Sequence, residues 1–68
     1  MTYLQKILSV LSESPVTIDF LFEALDIPNS KMTYVIQALK KGIQQNKIKQ
    51  ILQENVKNKY YGHLYCLI

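Results

Sequence analysis

Eight side chains between Asn29 and Lys41 carry hydrogen-bonding groups or positive charge, with no acid among them: Asn29, Ser30, Lys31, Thr33, Tyr34, Gln37, Lys40 and Lys41. At a helical spacing of roughly 100° per residue, Ser30, Tyr34, Gln37, Lys41 and Gln44 share one arc, with Thr33 and Lys40 beside it. This chemistry recognises; it does not react. A Gln amide can pair with adenine N6 and N7, Ser and Thr hydroxyls can contact bases or phosphates, and a Thr methyl can meet a thymine methyl. An ordinary solvated helix face offers similar groups but usually includes Glu or Asp. No acid occurs between Asp26 and Glu54, whereas Lys31, Lys40, Lys41, Lys47 and Lys49 do.

A second polar group, Lys57, Asn58 and Lys59, sits in a turn-like stretch where it could touch phosphate, or simply be solvated. Tyr60, Tyr61 and Tyr65 follow and could stack on single-stranded bases. Three tyrosines in one hairpin, however, more often serve packing. Groups that could do reaction chemistry are sparse. His63 stands alone with no Cys, His or carboxylate at ligand spacing, so no metal site is expected. Gly42 and Gly62 are isolated and make no phosphate loop. Asp19, Glu23 and Asp26 lie on or next to one short helix, where they read as solvation and dipole support. The chain is not expected to be an enzyme, and no cofactor is expected.

At 68 residues there is length for one small domain, taken as 1–68, and a hydrophobic content of 49% is ample for a core. The net charge of +3 suits an anionic partner without requiring one. All eight cations are lysines. Guanine readout by a bidentate Arg fork is therefore excluded, and base contacts would fall to Ser, Thr, Asn, Gln and Tyr. Cys66 is the single cysteine, so no internal disulfide can form, and its apolar neighbours mark it as a small buried hydrophobe. No signal-like segment or apolar run of ~20 residues is present, which leads to the expectation of a cytoplasmic protein with no membrane partner.

Periodicity places these residues on elements. Thr2 can cap a first helix (about 2–12) with Leu4, Ile7, Leu8 and Leu11 as its apolar stripe, ended by Pro15. Val16 can form a single bridge to a later sheet. Thr17 caps a second helix (about 17–26), in which Phe20, Leu21, Ala24 and Leu25 give the stripe and Phe22 falls beside it. Asp26-Ile27-Pro28 is a tight turn with Ile27 pointing inward. Asn29 or Ser30 caps a third helix (about 30–45), whose stripe is Met32, Val35, Ile36, Leu39 and Ile43. Gly42 could end this helix, but Asn46 is preferred as its left-handed terminator. Period-two alternation then predicts a hairpin over about 48–54 and 60–68, packed through Leu64, Cys66 and Ile68.

The residues Leu21 to Leu25, Ile27, Met32 to Leu39 and Asn46-Lys47-Ile48, in this order of elements, resemble the winged-helix superfamily over nearly the whole chain. The expected fold class is α+β, mostly α: a three-helix bundle with a helix-turn-helix and a C-terminal β-hairpin wing. In size and plan the chain is similar to small regulators of pilus phase variation and to phage or plasmid repressors. The resemblance implies double-stranded DNA binding in transcriptional or mobile-element regulation, with the third helix in the major groove and the wing on the backbone. Some winged helices instead dock other proteins, and exposure of Phe22 and Leu67 would favour that alternative; single-stranded nucleic-acid binding by the Tyr-rich hairpin is another. A homodimer is expected, with the C-terminal strand as its candidate edge.

Overall fold

The computed structural model describes residues 2–68, which form three helices and a two-stranded antiparallel hairpin in the order α1 (Tyr3–Val10), α2 (Ile18–Leu25), α3 (Met32–Gln44), β1 (Ile48–Ile51) and β2 (Leu64–Leu67). Each helix begins and ends where local chemistry dictates. Thr2 closes a capping box on α1: its hydroxyl accepts from the Gln5 N–H at 3.1 Å and its own N–H donates to Gln5 Oε1 at 2.9 Å. Thr17 caps α2 by accepting from the Phe20 N–H. Two left-handed residues end the helices that follow. Asp26 (φ 53°) ends α2, with the Ile27 N–H returned to the Phe22 carbonyl. Asn46 (φ 58°) ends α3, with Lys47 returned to Gly42 and Asn46 to Ile43. In the Asp26 turn Ile27 is buried, as its position demands.

One cluster forms the core: Ile7 and Leu11 of α1, Ile18, Leu21 and Phe22 of α2, Ile27, Val35, Ala38 and Leu39 of α3, Ile48, and Tyr65. The stripe expected on α1 is confirmed. On α2 it is rotated. Phe20 and Ala24 are exposed, whereas Ile18 and Phe22 are buried, because Ile18, Leu21, Phe22 and Leu25 follow the i, i+3, i+4, i+7 pattern that faces α1 and the core. On α3 the buried arc is centred on Val35 and Leu39 and leans toward Ala38 and Gly42, leaving Met32, Ile36 and Ile43 half-buried. Gly42 explains the lean. A β-carbon there would lie 2.4 Å from Ile48 Cδ1 and 3.1 Å from Leu4 Cδ1, so the missing side chain is what lets β1 and α1 approach this shoulder of the helix.

The helix after the turn has no side-chain cap. Asn29–Lys31 make a single 3-10 turn after Pro28, and neither Asn29 nor Ser30 caps α3 through its side chain. The Lys31 N–H is taken up by the Pro28 carbonyl instead.

In the hairpin, Ile48 pairs with Leu67 and Ile51 with Leu64. Both strands are shorter than alternation implies. Residues 52–63 form an irregular loop because side chains capture its backbone: the Gln53 N–H donates to His63 Nδ1 at 2.9 Å, and Asn58 Oδ1 accepts from the Tyr60 and Tyr61 N–H groups. A backbone donor at Nδ1 requires the proton on Nε2, which therefore donates to the Asn58 carbonyl. His63 is thus a buried staple of the loop.

The face turned to the core is also the other one. Tyr65 is fully buried in the core, Leu67 packs against it and Ile68 is 74% exposed; Cys66 is buried on the opposite face. Tyr65 can face inward because its hydroxyl is satisfied, donating to the Tyr60 carbonyl at 2.6 Å and accepting from Gln50 Nε2 at 3.0 Å. Val16 makes the expected bridge, exchanging two hydrogen bonds with Tyr65, and the Leu67 N–H donates to the Ser12 carbonyl. With β1 on one side and residues 12–16 on the other, β2 has no free edge. The C-terminal strand therefore lacks the open edge that the expected dimer contact would use, and β1 pairs with β2 alone.

Candidate nucleic-acid interface

The expected site residues on and before α3 (Asn29, Ser30, Lys31, Thr33, Tyr34, Gln37, Lys40 and Lys41) are all exposed, as is Gln44. They do not form one uniform face. The lean of the buried arc toward Ala38 and Gly42 leaves Thr33, Gln37, Lys40 and Gln44 opposite the core and brings Tyr34 and Lys41 to the border with α1.

At that border lies an open groove of about 220 Å³. Thr2 and Tyr3 form one wall and Tyr34, Gln37 and Lys41 the other, over a floor of Leu4 and Ala38. The Tyr3 and Tyr34 rings span the two helices as an offset stack, with centroids 5.9 Å apart and planes within 14°. Each ring also carries a cation. Lys6 Nζ lies 5.5 Å from the Tyr3 centroid and Lys31 Nζ 5.2 Å from that of Tyr34, both within cation–π range.

Tyr3 and Lys6 were absent from the residues singled out by type and spacing. A signal was nonetheless present in the sequence. Lys6 follows Tyr3 by three positions within α1, the helical spacing that can set a lysine over a ring, and Lys31 precedes Tyr34 by three from the 3-10 turn that leads into α3.

The loop after β1 leaves Lys57, Asn58 and Lys59 exposed. Asn58 is partly committed, since its side-chain oxygen holds the turn and only its Nδ2 remains for a partner. The Lys59 carbonyl accepts from Gln50 Nε2 at 2.9 Å, which leaves the ammonium free to reach outward. Tyr61 ties the loop to the start of α2 by donating to Asp19 Oδ1. That hydrogen bond, followed by desolvation and the charge of Asp19, raises the Tyr61 phenol above its ordinary value. Of the three hairpin tyrosines, Tyr65 is core and Tyr60 is half-buried; only Tyr61 is exposed.

Among the described residues the exposed large apolar side chains are Phe20, Tyr34, Leu52, Tyr61 and Ile68; Phe22 is buried and Leu67 half-buried. Among the described residues no group of His, Cys, Asp and Glu could hold a metal ion, and no helix is long and apolar enough to cross a membrane. No family model matches the chain, and comparison with curated proteins and with solved structures found no match.

Proposed function

We propose that the protein binds double-stranded DNA in the manner of a winged-helix regulator, with α3 in the major groove and the loop lysines 57 and 59 on the backbone. The observation that carries this reading is the exposed side of α3, where Thr33, Gln37, Lys40, Lys41 and Gln44 offer amides, a hydroxyl and cations with no acid among them. The acids lie elsewhere: Asp19, Glu23 and Asp26 on or beside α2, Glu13 before it and Glu54 in the loop. A helix of 13 residues is about 20 Å long, enough to lie across a groove ~12 Å wide. The largest dimension of the molecule is 33 Å, close to one turn of B-DNA at ~34 Å, so one copy engages one half-site. Two copies on successive half-sites would double the phosphate contacts on which affinity depends.

The test is fluorescence anisotropy with random duplex, single-stranded DNA and a selected duplex pool over a salt series. The expected result is salt-dependent duplex binding that weakens in the double variant Lys40→Gln, Lys41→Gln. The logarithmic salt slope should flatten by about one unit for each lysine that meets a phosphate. An unchanged slope removes α3 from the interface. Absence of duplex binding even at low salt withdraws the reading in favour of protein docking.

A further inference from the structure

The groove between α1 and α3 takes one side from α3 and the other from Thr2, Tyr3 and Leu4, which the reading above leaves unused. Its position beside α3, its shape and its charge together say what would fill it. About 220 Å³ in an open trough is below the ~300 Å³ at which pockets begin to bury ordinary small ligands. A segment of a polymer lying across the trough fits better. The polymer should be anionic, since Lys41 lines the groove, Lys6 and Lys31 sit over its two tyrosines, and no acid is among the lining residues.

We propose that this groove seats the sugar–phosphate strand of a duplex beside the stretch that α3 enters, with Lys6, Lys31 and Lys41 supplying the charge. The inference rests on the DNA-binding reading above and extends its interface to the first turn of α1. Apolar sugar edges would lie on the Leu4 and Ala38 floor and against the Tyr3–Tyr34 stack, and phosphates would meet the ammonium groups. Gln37 and Lys41 line the groove as well as the free side of α3, so one strand could run from the groove onto the helix without a break. The tyrosine stack would then be a positioning device. It holds α1 against α3, and it restrains two lysines that would otherwise sample many rotamers.

The experiment compares the full chain with Lys6→Gln, Tyr3→Leu and Lys40→Gln in duplex-binding titrations over a salt series, each variant first checked by thermal melting. A polyglutamate peptide serves as the competing probe. Lys6→Gln should weaken random-duplex binding several-fold and flatten the salt slope by about one unit at an unchanged melting temperature. Tyr3→Leu keeps an apolar wall and should give a partial loss by freeing Lys6. If Lys40→Gln flattens the slope and Lys6→Gln does not, the groove proposal falls while α3 keeps its role. If the unaltered protein binds no duplex at all, the DNA reading itself fails. Retention of polyglutamate that depends on Lys6, without duplex binding, would overturn the proposal in favour of an acidic protein partner.

Discussion

At Tyr65, burial and hydrogen bonding act on the same phenol. The side chain is fully buried, its hydroxyl donates to the Tyr60 carbonyl, and Gln50 donates to it. Desolvation is the largest influence on its acidity and pushes the phenol up; the Gln50 hydrogen bond opposes this and the neighbouring Tyr60 adds to it. A folded-state value above the unfolded value of ~10 means that the folded state holds this proton more tightly. The stability it contributes is complete below pH ~10 and is lost as pH rises through the folded value. Tyr65→Phe should cost about 1–3 kcal/mol at neutral pH, because the Tyr60 carbonyl loses its donor. It should also remove part of the decline above pH ~10. Urea melts of both proteins across that range check this, and parallel declines would contradict a buried Tyr65.

Gln37 belongs to the same scale. It lies at the middle of the exposed arc and its amide has no partner among the described residues, so it is free to pair with adenine. Gln37→Ala should relax selectivity at one base position by about 1–3 kcal/mol and leave the salt slope nearly unchanged. Selection from a randomised duplex pool reads this directly, and a loss shared equally by all sequences would make Gln37 a backbone contact.

Among the elements, α3 is shaped by a residue that contributes no side chain. In an exposed helix Gly→Ala gains up to ~1 kcal/mol from helix propensity. At Gly42 the added β-carbon would meet Ile48 at 2.4 Å and 2.9 Å, and Ile48 is 1% exposed with little room to retreat. Overpacking of this kind typically costs about 1–3 kcal/mol, so it should outweigh the propensity gain. Gly42→Ala is expected to lower the melting temperature, and a rise would show that β1 yields easily at this shoulder. The same shoulder receives Leu4 of α1, which also lines the groove between α1 and α3.

For the molecule as a whole, a domain of 68 residues has one core and little reserve. Leu39 is fully buried in that core on α3. Leu39→Ala should cost about 2–5 kcal/mol, a large share of what so small a domain can hold. Denaturant titration should show the midpoint falling steeply, and a midpoint near that of the parent would mean that the core closes over the cavity without loss. The charge distribution is also a property of the whole: the acid-free stretch from Ile27 to Gln53 includes all of α3 and β1, while α2 and its flanks carry four of the five acids.

The sequence by itself determined the features that depend on neighbours along the chain. Thr2 and Thr17 as caps, Asn46 as the left-handed terminator, the inward Ile27 and the Val16 bridge were all legible, because a cap or turn is decided within a few residues. That the polar residues of α3 are exposed was legible too, since a period of 3.6 needs only one helix, but the arc is turned: Thr33 and Lys40 lie opposite the core, and Tyr34 and Lys41 move to the border with α1. Tertiary structure alone decided which way each amphipathic surface turned. Phe22 rather than Phe20 is buried because α1 and the core lie on that side of α2. Tyr65 rather than Ile68 faces the core because two distant groups, Gln50 and the Tyr60 carbonyl, satisfy its hydroxyl. The loop is longer than alternation implies because His63 and Asn58 bind backbone groups that a ladder would otherwise pair. The α1–α3 groove was not legible either, because its lining joins residues 2–4 to residues 34–41, and only the packing of the two helices brings them together.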